Sequence, residues 1–218
     1  MTPRFVVFDV VGTLFTRGFR VSAAHFAERY GLIVIIALGE SIVAIGVAAA
    51  GLERDTLFAI AVVVSFAGAA AAWWAYFDAS QIAAERVLHA ARDDERAHLA
   101  RDLYTFFHSA IVLGIILLAV AAKKTLAAPG EPLTSGGRAT LALGMSLFLL
   151  GFVLARWRVV KAIAWERAGA ALAVVLAVVL LDDADALLLL AVSVLALVVA
   201  LAVESVRYRE ARSALASG

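Results

Sequence analysis

The sequence contains no cysteine, so disulfides and thiolate-based metal or redox centres are excluded. Charge is also scarce. Asp, Glu, Lys and Arg make up 17% of the 218 residues, against about 25% in an ordinary soluble domain. What charge there is nearly cancels, leaving a net +1, so no basic field points to a nucleic-acid partner. Residues 1–30 carry charges throughout and lack a clean apolar core, which predicts no cleavable signal peptide. In place of these features the chain has apolar residues, 64% of the total. One globular core of this size cannot bury that much apolar surface. The surplus must face lipid or a partner.

A membrane-spanning helix needs about 20 mostly apolar residues. Six windows come near that length: 31–52, 57–77, 103–122, 139–155, 162–181 and 186–203. The first is interrupted by Gly39-Glu40-Ser41, the third holds His108, and the fifth has Glu166 and Arg167 in its first turns. The last two form a hairpin across Asp182-Asp183-Ala184-Asp185. The pattern predicts an all-α, polytopic transmembrane helix bundle of about six spans. Residues 1–24 form an N-terminal cytoplasmic segment, 25–206 the membrane domain, and 207–218 a cytoplasmic tail. Residues 79–101 are polar, without Pro or Gly, and read as a cytoplasmic helical loop with a solvated, mixed-charge face. Residues 127–137, with Pro129, Gly130, Pro132, Gly136 and Gly137, read as an irregular outer loop.

Lys and Arg flank spans preferentially on the cytoplasmic side. With the N-terminus inside, fifteen of the nineteen Lys and Arg fall on inner segments. Arg54, Lys123, Lys124 and Arg138 are the four outside. This predicts an inner-membrane, multi-pass protein with both termini cytoplasmic. All eight Trp and Tyr residues fall at the inner ends of the spans, where amphipathic rings anchor at an interface. The outer side is left without an aromatic belt.

Ionisable groups inside a span are expensive, and each is a functional candidate. Glu40 lies 11 residues beyond Arg29, or roughly 16 Å along a helix. That is near the middle of a ~30 Å hydrocarbon layer. A carboxylate at that depth is either protonated or paired. It reads as a proton- or cation-binding group, or as a neutral Glu hydrogen-bonded between helices. Gly39 permits close helix approach or an unwound turn, and Ser41 adds a hydroxyl. Arg101, Tyr104 and His108 fall at i, i+3 and i+7 and line one helical face. That face suits a proton relay or an anion, or else simple packing. His25, Glu28 and Arg29 share a juxtamembrane face with too few ligands for a metal, and read chiefly as an ion-paired turn. Asp78, Asp102, Glu166 and Glu204 lie at inner ends within reach of Arg. Asp182, Asp183 and Asp185 read as a solvated turn. No metal or cofactor is expected.

The segment His25-x-x-Glu28-Arg29-x-Gly31-Leu32, followed by an apolar run and Gly39-Glu40-Ser41, resembles the signature of the bacterial low temperature requirement A (LtrA) proteins. Leu99-Ala-Arg101-Asp102-Leu-Tyr104-Thr-Phe-Phe-His108 with Gly114, and Trp73-Trp74-Ala-Tyr76-Phe77-Asp78, are similar to further family segments. The resemblance runs from about residue 22 to 205. It implies a polytopic membrane protein without a well-defined biochemical activity. Members are nearly twice this length, so the chain resembles their C-terminal half. Phe8-Asp9-Val10 is the one trace of the family's N-terminal motif.

Arg4 to Phe15, with Asp9 and Gly12-Thr13, also resembles motif one of haloacid dehalogenase-like hydrolases, where such an Asp is the nucleophile. A second Asp belongs two residues later, where this chain has Val11. No soluble domain follows, and the chain is not expected to be an enzyme. The leading expectation is a proton- or ion-linked transporter or channel-type protein using Glu40. The alternative is a non-transporting scaffold or sensor; a hydrolase stands a distant third. The expected partners are the lipid bilayer and either a second copy or a complementary membrane half.

Overall fold

The computed structural model describes residues 23–49, 55–77, 98–99 and 101–216, with side chains at 29–47, 55–77, 98–99 and 101–207. Within these lie six long helices: α1 (Ala23–Ala49), α2 (Thr56–Phe77), α3 (His108–Ala127), α4 (Ser135–Val160), α5 (Trp165–Leu180) and α6 (Ala186–Ala216). A seven-residue π-helical stretch, Arg101–Phe107, leads directly into α3. The described residues contain no strand, only an isolated bridge between Pro132 and Asp185. The expected all-α membrane bundle is the architecture found. Asp9 and its neighbours, Asp78, and residues 79–97 lie outside the described residues.

Five of the helices are long and apolar enough to cross a membrane. The sixth, α5, has 16 residues, about 24 Å at 1.5 Å per residue. It nevertheless crosses the bundle. Arg138, in the first turn of α4, donates to the carbonyl oxygens of Val178, in the last turn of α5, and of Asp182, just beyond it. The start of α5 follows the opposite end of α4, so the two helices run antiparallel over the same thickness. α4 is closed by local chemistry at both ends. Thr134 Oγ1 accepts from Gly137 N at 3.2 Å, an N-cap. Lys161, at φ 56°, turns the chain out of the helix and donates its N–H to Trp157 O.

The interior is centred on α3 and α4. Leu141, Met145, Phe148 and Leu149 are fully buried. The two backbones approach closely because Gly114 faces Gly144. A Cβ on Gly114 would sit 2.6 Å from Phe148 N and 2.8 Å from Gly144 O. Small residues at such crossings are how helices pack in lipid, where dispersion replaces the hydrophobic effect between helices. The outward surfaces remain apolar: Ile36, Val63, Val179, Leu180 and Leu195 are all well exposed. Trp73, Trp74, Trp157 and Trp165 are exposed as well, all at one end of the bundle. Lipid is the solvent that suits such a surface.

Candidate functional site

The Gly39-Glu40-Ser41 segment does not break its helix. α1 is continuous through it, so the unwound turn allowed by Gly39 is absent. Among the described residues nothing approaches Gly39 closely either: a Cβ there would meet none of them within 4 Å. Gly39 and Glu40 are both exposed on the outer surface of α1, with Ile36, Val43 and Gly46 along the same side. Glu40 makes no hydrogen bond or ion pair with any described residue. Ser41 faces inward and is buried, and its hydroxyl donates to Ala37 O at 2.7 Å. The motif therefore divides between two surfaces. The carboxylate looks out, and the hydroxyl looks into a central cavity it shares with Ser65.

A second group of polar side chains gathers at the tryptophan-bearing end. His108 is buried in the first turn of α3. Its Nδ1 lies 3.3 Å from the Tyr76 hydroxyl at the end of α2, within hydrogen-bonding distance. Its Nε2 has no partner among the described residues. Tyr30, from α1, stacks on Tyr104 with centroids 4.9 Å apart and meets the His108 ring edge-on at 4.8 Å. Three helices and the π-helical stretch thus converge on one imidazole. The π-helical winding matters here. It widens the turn, keeping Tyr104 beside His108 while taking Arg101 out of the cluster. Arg101 instead pairs with Asp102 at 3.0 Å and lies over Phe106. The expected Arg-Tyr-His face is therefore a Tyr-His face, because seven residues of π-helix change the angular spacing assumed for an α-helix.

Beside this cluster sits Arg167, only 5% exposed in the first turn of α5. Its Nε donates to Glu204 Oε2 at 2.9 Å, and its guanidinium covers the Phe152 ring at 4.3 Å. Phe152 in turn meets Tyr76 edge-on. Arg156 also reaches Glu204, at 3.7 Å. Asp102 bridges Arg101 and Arg158, the latter at 2.9 Å, and Glu166 pairs with Arg207. The expected pairing of inner-end carboxylates with Arg holds for all three described ones. Arg29 is exposed; the side chains of His25 and Glu28 lie outside the described residues, so their expected ion-paired turn is not on view. Asp182 and Asp183 are exposed in the hairpin turn. Among the described residues, no three His, Asp or Glu side chains gather as metal ligands would.

Sequence reasoning placed Glu40, Ser41, Tyr104 and His108 in candidate sites but missed Tyr76, Arg167 and Glu204 as members of one buried polar group. The signal available was the crowding of Tyr and Arg at matching span ends. It does not say which of them turn inward.

Among the described residues, an all-helical bundle with an apolar exterior, whose charges gather at its ends apart from Glu40, defines a polytopic helical membrane protein. Residues 5–203 match the bacterial low temperature requirement A protein (LtrA) family, and the chain belongs to it. The match begins upstream of the quoted motifs and takes in Phe8-Asp9-Val10, which therefore falls inside the family's own length. An uncharacterized protein of Rhizobium meliloti (strain 1021) is 36% identical over 134 residues, covering 60% of this chain and 32% of that relative. The matched segment thus spans about a third of the relative's length. No solved structure matches.

Proposed function

We propose that the chain is one membrane unit of a proton- or ion-linked transport protein, with Glu40 as the ion-binding group. The observation that carries this reading is an ionisable side chain, about halfway along a spanning helix, exposed on the outer surface with no partner among the described residues. A carboxylate facing hydrocarbon is costly in isolation. The position becomes favourable where water or another membrane element covers it. The covering element is a second copy of the chain or a complementary membrane half, packed against Ile36, Val43 and Gly46. The orientation in this reading has both termini cytoplasmic in the inner membrane, supported by the Lys and Arg asymmetry. No enzymatic step is part of it.

The test is proton and cation flux in proteoliposomes, comparing wild type with Glu40→Gln. Flux that falls at least tenfold in the variant supports the reading; flux equal in both, or none in either, rejects it. A second reading, a non-transporting scaffold or sensor, is favoured by one observation. The central cavity is lined by Ser41 but not by Glu40, and its walls among the described residues are almost wholly aliphatic, so this cavity gives the carboxylate no polar way inward. Absent flux together with disulfide trapping of a Gly46→Cys variant, in a chain otherwise free of cysteine, is the outcome expected of that reading. Orientation is checked separately by impermeant maleimide labelling of Asp183→Cys and Ser213→Cys in intact cells, only the first being labelled.

A further inference from the structure

The central cavity holds an unsatisfied donor. Four Ser and Thr side chains are buried within the described helices. Ser41, Thr125 and Ser193 each donate to the carbonyl four residues earlier, at 2.7, 3.1 and 2.8 Å. Ser65, in α2, does not. It is 5% exposed, its Oγ has no partner among the described residues, and it lines the cavity. Buried hydroxyls without a partner are rare because desolvation is then uncompensated.

The rest of the cavity narrows the class of molecule that satisfies Ser65. Ser65 has a proton to donate, so the ligand needs an acceptor. Ser41 has committed its proton to Ala37 and keeps only lone pairs, so the ligand needs a donor as well. One hydroxyl group supplies both. The other walls are aliphatic, among them Leu38, Ile115, Met145 and Val194. The volume is about 50 Å³, several times the ~10–15 Å³ that one water needs by the same measure. Water filling that space would need two to four polar partners per molecule, and the walls offer two hydroxyls. A small aliphatic body carrying one hydroxyl fits both the polarity and the size.

We propose that this cavity is a binding site for a small aliphatic alcohol, whose hydroxyl accepts from Ser65 and donates to Ser41 while its alkyl chain lies among the aliphatic walls. The site is independent of Glu40 and of the transport reading.

The experiment uses the full chain in lipid nanodiscs with a photoactivatable diazirine alcohol of four carbons, followed by peptide mapping. Adducts are expected on cavity residues such as Ile115 and Met145 and should be displaced by excess 1-butanol but not by butane. Ser65→Ala, which removes one oxygen and leaves the fold's packing in place, should weaken labelling about fivefold, the order expected for one hydrogen bond. Without alcohol, Ser65→Ala should unfold at a temperature no lower than wild type, because an unpaired donor has been removed. Adducts confined to lipid-facing residues such as Val63 overturn the proposal. So does equal displacement by butane, labelling indifferent to Ser65→Ala, or a destabilised Ser65→Ala protein, which would reveal an internal partner for the hydroxyl.

Discussion

Glu40 and Ser41 are consecutive residues of one unbroken helix, yet they belong to different surfaces: the carboxylate stands on the outer face of α1, and the hydroxyl lies buried on the wall of the central cavity. Nothing inside the described bundle depends on the Glu40 charge. Glu40→Leu is therefore expected to leave the thermal unfolding midpoint of the detergent-solubilised chain unchanged or raised, since an apolar side chain replaces a costly one on a lipid-facing surface. A drop of several degrees would show that the carboxylate has a structural partner.

Gly114 is expected to be intolerant of any side chain. An added Cβ would collide with the backbone of α4, at 2.6 Å from Phe148 N, and backbone cannot swing aside. Gly114→Ala should lower stability by about 1–3 kcal/mol, the usual range for overpacking. Gly136→Ala, where a Cβ meets nothing within 4 Å, serves as the control and should be neutral or stabilising by up to ~1 kcal/mol. Equal effects at the two sites would contradict the close α3–α4 crossing.

Arg167 and Glu204 form the most buried ion pair among the described residues, at 2.9 Å. Removing one partner strands the other. Arg167→Met alone should cost about 3–5 kcal/mol, and the double change Arg167→Met with Glu204→Leu should recover much of it. Chemical denaturation in mixed micelles measures both. A double variant as unstable as the sum of the two singles would show that the pair does not act as a unit.

The Tyr76–His108 contact is tested by a double-mutant cycle using Tyr76→Phe and His108→Leu. Their shared hydrogen bond at 3.3 Å should appear as a coupling energy of about 1 kcal/mol. Purely additive losses would mean the two rings merely pack side by side.

Thr134 caps α4 through Gly137 N. Thr134→Ala should destabilise by about 1 kcal/mol and Thr134→Ser by much less, because Ser keeps the accepting oxygen. Loss of the same size in both variants would point to the methyl group rather than the cap.

Much of the architecture was legible in the chain itself, for reasons of solvent physics. Long apolar runs between charged ends can satisfy backbone hydrogen bonds in lipid only as helices. Each of the six expected windows accordingly matches one helix, α5 included despite its 16 residues. The pairing of Asp102, Glu166 and Glu204 with Arg was legible too, since opposite charges at one end of a bundle find each other. Less legible was the facing of α1. Glu40 was open to an ion-binding role or an interhelical hydrogen bond, and which way it turns depends on neighbours distant in sequence. The π-helical stretch was also hidden, because Arg101–Phe107 has nothing in its composition that forbids ordinary α-helix.

The sequence by itself determined that this chain lives in a membrane, where the six long described helices run, which charges flank them, and which family it belongs to. These properties follow from hydropathy, local propensity and motif spacing, and all three are read along the chain. Only the tertiary structure decided that Ser41 and Ser65 share a cavity, that Tyr30 and Tyr76 meet the His108 imidazole with Tyr104 stacked on Tyr30, and that Glu40 faces outward. Those outcomes depend on how helices rotate about their axes when they pack. That rotation is set by close contacts such as Gly114 against Phe148, between residues that no local pattern links.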